Sequence, residues 1–138
     1  MRATLHLTSR LLAEGCEPEW IESRAVGILR ADGDGYTLRY TEKTEGGTLT
    51  CALSFSETGV VRIEQSGAIS ATAVFEAGVP HTSPYRIPPL SLTRTVTARE
   101  VTVRRVSDGF FLHLAYDAEI GTVRQQADLT VQIKEVAG

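Results

Sequence analysis

Hydrophobic and polar positions alternate residue by residue along almost the whole chain. Leu5, Leu7 and Leu11 alternate with Thr4, His6, Thr8 and Arg10. Near the other end, Leu129, Val131 and Ile133 alternate with Asp128, Thr130, Gln132 and Lys134. Strand side chains point to opposite faces in turn, so each such stretch predicts a strand with one dry face and one wet face. The pattern predicts ten strands, over 2–12, 20–31, 36–43, 48–57, 60–65, 68–76, 79–87, 90–106, 110–120 and 122–136. In the second, Ile21, Ala25 and Leu29 fall on one parity and Trp20, Val26 and Ile28 on the other, which predicts a bulge or bend near Gly27. In the eighth, the apolar parity switches between Val96 and Val101, which predicts a bulge or a strand break around Ala98–Glu100.

Short turns join these stretches: DGDG at 32–35, Thr58-Gly59, Ala77-Gly78 and Asp108-Gly109, with a Pro88-Pro89 corner before the long eighth strand. Strands joined this tightly are neighbours in space, which makes an up-and-down meander. Closure into a barrel is the simplest way for such a meander to avoid exposed edges. The predicted fold is all-β, an antiparallel 8–10-stranded up-and-down barrel, with a flattened sandwich as the alternative. A helical period is absent, apart from room for one short turn near Leu11–Cys16.

Composition adds bounds. A chain of 138 residues is one domain with enough core to need no metal or disulfide staple. Its net charge of −3 speaks against a nucleic-acid partner, which calls for a basic excess. No apolar run reaches the length of a membrane helix, and MRATLHLTSR has no apolar leader region, so a cytoplasmic protein without membrane contact is expected. Of the two cysteines, Cys16 falls in a polar turn and Cys51 on the apolar parity with Leu49 and Leu53, so one exposed and one core thiol are expected rather than a disulfide.

The segment QSGAISATAVFEAGVPHTSPYRIPPLSL resembles the central signature of the YwiB-like family, a bacterial domain of unknown function with a calycin-like (lipocalin-like) barrel. Ser66-Gly67, Phe75-Glu76, Gly78, His81, Tyr85 and Pro88 carry the resemblance, and the strand order on either side extends it over the chain. The chain departs from the pattern at Ile87-Pro88-Pro89-Leu90, where the family has a Thr-Pro-Tyr-Gly turn, and at Gln65, where a basic residue is expected. The resemblance implies a fold and no settled activity.

Candidate chemistry is sparse. Arg94 lies on the parity of Leu90, Leu92 and Val96, so the alternation aims it inward. A buried guanidinium needs a carboxylate, carbonyls, water or an anionic ligand. The bland reading has it snorkelling to solvent from a strand end. His81 and Tyr85 share a parity near the proline corner, either as polar handles at a barrel mouth or as rim side chains bonded to backbone. His113 and Asp117, about 13 Å apart along a strand, belong to a solvated face, as does His6. Asp32 and Asp34 lack the rest of a calcium loop, and no phosphate loop, dinucleotide fingerprint, nucleophile elbow or zinc-protease motif is present. No cofactor, metal site or enzyme mechanism is expected. The expected function is a non-catalytic binding module for a small apolar or amphipathic ligand, which an anionic head group would suit. Arg94, His81 and Tyr85 would be its handles, and Tyr36, Tyr40 and Phe75 its walls. The alternative is a filled barrel acting as a protein-interaction or homodimerising module, through an apolar patch at Pro88, Pro89 and Leu90 or through an unpaired edge strand.

Overall fold

The computed structural model describes residues 1–136. Ten strands account for nearly all of them: β1 (Arg2–Ala13), β2 (Glu19–Asp32), β3 (Gly35–Thr44), β4 (Gly47–Phe55), β5 (Val60–Gly67), β6 (Ser70–Glu76), β7 (Pro80–Ile87), β8 (Leu90–Val106), β9 (Gly109–Ile120) and β10 (Val123–Glu135). No helix occurs among the described residues. Every strand pairs antiparallel with its neighbours in sequence, and β1 pairs with β10, so the meander closes into a barrel rather than flattening into a sandwich.

The alternation explains the closure. Leu5 and Ile133, Leu38 and Leu53, and Leu112 and Val131 face one another on adjacent strands and are fully or almost fully buried. Burying a leucine or isoleucine contributes about 1.5–3 kcal/mol, and a one-residue slip would turn the whole row outward, which fixes the register.

The anticipated bulge in β8 is present: the β8–β9 register shifts between Ala98 and Glu100. It lets Val96 and Ala98 on one side, and Val101 and Val103 on the other, all approach the interior. Of the bulge or bend expected at Gly27, the bulge is not there, and β2 runs in unbroken register against β1. Its parity conflict has another cause, because Trp20, Val26 and Ile28 point outward and are exposed. Gly27 serves close approach instead: a Cβ there would sit 2.3 Å from the Arg39 carbonyl oxygen.

Closure is uneven. β1 and β10 share eleven register pairs, whereas β6 and β7 share two, Ser70 with Arg86 and Ala71 with Tyr85. Side chains bridge the rest of that seam. The Ser83 hydroxyl donates to the Thr72 carbonyl at 2.5 Å, and His81 Nε2 lies 3.3 Å from Glu76 Oε1.

Candidate functional site

The interior is packed from one end to beyond its middle. At the end where β9 begins, Tyr36, Phe55 and Phe110 form an aromatic plug with ring centroids 4.7–6.0 Å apart. Arg105 closes it from outside: its Nη1 donates to the Tyr36 hydroxyl at 3.1 Å, and its guanidinium stands 5.1 Å from the Phe110 ring centre. Deeper in, Tyr40 is buried opposite Cys51 on β4. Burial raises the pKa of both, pushing the Cys51 thiol up to about 11. Both groups are neutral and inert, and neither has the character of a nucleophile.

The opposite end is built differently. Arg94 is directly across from Ser83 on β7 and Ile120 on β9. Its guanidinium lies 4.8 Å from the ring centre of Tyr85, two residues further along β7. Below it, Tyr116 packs edge-on against buried Phe75, with centroids 4.8 Å apart. The rim beside Tyr85 is apolar, with Ile87, Leu90 and Leu92 exposed around the Pro88–Pro89 turn.

The charge balance at this end is incomplete. Burial pulls the Arg94 pKa below its ordinary value, and the Tyr85 and Tyr116 phenols oppose that shift. Burial holds the Tyr116 phenol above its usual pKa despite the neighbouring guanidinium. Arg94 Nε is buried and has no hydrogen-bond partner, and among the described residues no carboxylate forms an ion pair with this side chain. A cation over an aromatic ring gains about 0.5–2 kcal/mol, but it leaves the buried Nε donor without a hydrogen-bond acceptor. The arrangement is open to an anion.

The six residues expected to form one site therefore divide. Arg94 and Tyr85 are in contact, and Phe75 joins them through Tyr116. His81 is on the same face but is engaged with Glu76 across the β6–β7 seam. Tyr36 belongs to the plug at the far end, and Tyr40 to the packed interior, so neither shares a wall with Arg94. Tyr116 and Arg105 were missed, although the parity of β9 points Tyr116 inward with Leu112 and Leu114, and the shift at the β8 bulge does the same for Arg105.

Elsewhere several charged groups pair with one another. A groove of about 600 Å³ on the outside of the wall, lined by Thr95, Thr97, Asp117 and Gln126, is crossed by the Arg124–Glu119 pair at 3.1 Å. Arg99 meets Asp117 at 3.4 Å, and His113 lies between Glu100 and Asp128 at 3.7 and 3.3 Å. His6 Nε2 is 3.3 Å from Glu22 Oε1, near enough for an ion pair but poorly aligned for a hydrogen bond. Among the described residues, no group of three or more His, Cys, Asp or Glu side chains is gathered in a way that could hold a metal ion.

Comparison with known proteins adds a family and a fold. The model of a domain of unknown function, DUF1934, matches residues 5–133. The crystal structure of the ywiB protein from Bacillus subtilis superposes with a TM-score of 0.88 at 21% identity, over 99% of this chain and 92% of that one. No curated protein matches the chain.

Proposed function

The chain belongs to the DUF1934 family, a domain of unknown function, and we propose that it is a non-catalytic binding module holding a small amphipathic anion at one mouth of its barrel. The buried, unpartnered Nε of Arg94 carries this reading. It would receive a carboxylate or similar head group, since a guanidinium presents paired donors matched to such oxygens. Tyr85 and Tyr116 would flank that head group, and the exposed Leu90 and Leu92 would meet an apolar tail. The calycin-like mode of binding is thus confined to one end, because the plug and the packed core leave the interior filled behind Phe75. A cytoplasmic setting fits the two free cysteines, Cys16 and Cys51.

Titration calorimetry with decanoate, using decanol as the uncharged control, tests the reading. Decanoate should bind, and Arg94→Met should weaken it roughly 10–100-fold, the loss of a charge-assisted contact of about 1.5–3 kcal/mol. Folding should be unimpaired or improved, because the substitution removes a poorly compensated charge. Equal binding to the variant, or none to the native protein, would sink the proposal. The filled interior also favours a second reading, a module that works through its outer surface.

A further inference from the structure

Alternate turns of an up-and-down barrel gather at one end, and five of them ring the mouth that holds Arg94. Three consecutive ones carry no charge: Ser66–Ser70 between β5 and β6, Ile87–Thr93 between β7 and β8, and Ile120–Val123 between β9 and β10. Apolar side chains crown this arc. Leu90 is 58% exposed and Val123 50%, and Ile87 and Leu92 are exposed as well. They lack cover because the β7–β8 hairpin outruns its neighbours. β9 ends at Ile120, opposite Arg94, where the Gly121 N–H donates to the Thr93 carbonyl at 3.3 Å. β6 starts at Ser70, opposite Arg86. The tip of the hairpin therefore stands clear of the strand on either side.

The charge around the arc is one-sided. From Ala77 to Arg99 the chain has Arg86, Arg94 and Arg99 and no acid, in a protein whose net charge is −3. Arg99 pairs with Asp117, whereas exposed Arg86 forms no ion pair among the described residues. Glu119, beside the arc, is paired with Arg124 at 3.1 Å. The acids of the other two turns, Glu14, Glu17, Glu19 and Glu45, stand at least two strands away from the hairpin in either direction round the barrel.

We infer that this arc is a docking surface for an anionic lipid bilayer, with the tip of the β7–β8 hairpin set into the hydrocarbon boundary and Arg86 at the level of the headgroups. An exposed apolar patch rimmed by polar residues marks an interaction site, and its shape selects the occupant. The tips of three separate turns offer neither a strand edge nor a groove. They also fall short of the about 20–30 residues that a standard protein interface takes from each side. A fluid surface needs no such fit: apolar side chains sink about 5–10 Å into the boundary while cations meet anionic headgroups. Repulsion of the acidic turns tilts the barrel so that the hairpin enters first. Docking of this kind needs no spanning segment. It goes beyond the ligand reading and does not require an occupied Arg94.

Co-sedimentation with vesicles tests the inference. The native protein should pellet with vesicles of phosphatidylcholine and phosphatidylglycerol. It should pellet several-fold less with phosphatidylcholine alone, or in 1 M salt, where charges are screened within about 3 Å. Ile87→Asn combined with Val123→Asn should weaken binding to the mixed vesicles at least about tenfold, and Arg86→Gln several-fold. All three side chains are exposed, so the variants should melt as the native protein does. Val26→Asn, at an exposed valine on the outer wall, should bind as the native protein does. No pelleting of the native protein, equal pelleting with both lipids, or a double variant that binds like the native would overturn the inference. So would a native dimer in sedimentation velocity that the double variant dissolves, since the arc would then belong to a second copy. Arg94→Met should keep vesicle binding whether or not decanoate binds, so the two readings fail separately.

Discussion

Tyr40 and Cys51 face each other inside the barrel, and burial raises both pKa values above their ordinary ones. A group whose folded pKa exceeds its unfolded value stabilises the fold below the unfolded pKa and loses that contribution as pH climbs through the folded one. For Cys51 the window runs from 9.0 to about 11, with Tyr40 extending the loss upward. Thermal melts between pH 7 and 11 should show a falling Tm above pH 9, and Cys51→Ala should give a shallower slope even if its melting point is lower throughout. Identical slopes would remove Cys51 from the account. At this scale, inward direction was legible in the sequence, because alternation alone aims Arg94, Tyr85, Tyr36 and Tyr40 at the interior. Depth was not. Whether a tyrosine lies beside Arg94 or at the far end depends on strand register, and register depends on pairs such as Tyr36 with Phe55 that no local pattern displays.

Among the elements, β2 shows how a pattern can be read correctly and attributed wrongly. Its mixed parity resembles a bulge, yet the strand is regular, and its exposed Trp20, Val26 and Ile28 belong to an outer surface. The glycine taken for the bulge is where β2 and β3 come closest. Gly27→Ala would drive a Cβ into the Arg39 carbonyl and should destabilise the protein by about 1–3 kcal/mol, read as a lower urea midpoint at unchanged m-value. The β8 bulge was legible because both halves of that strand have apolar residues that must reach one core. The β6–β7 seam was not, since the alternation in each strand is regular and only their pairing fails. Hydrogen exchange should find amides of Thr72–Phe75 and His81–Ser83 that face the seam exchanging well before those of the β1–β10 ladder. Equal protection on both sides would mean that backbone bonds close the seam in solution.

For the whole molecule, closure was predictable from ten short-turned strands that would otherwise leave two raw edges, and Ala3 opposite Glu135 shows the first and last strands meeting. The strength of each joint was beyond the sequence, because it emerges from how the wall curves. The result is a cylinder fastened firmly from β8 through β9 and β10 to β1, across the meeting of the chain's two ends, and most weakly at a hairpin halfway along. Such an object unrolls from the middle of its own chain. Parting β6 from β7 would leave one continuous sheet with the terminal strands at its centre and those two at its margins. It would also uncover Phe75 and Tyr116 from the side, so the anion proposed for Arg94 would have a route through the wall as well as through the mouth.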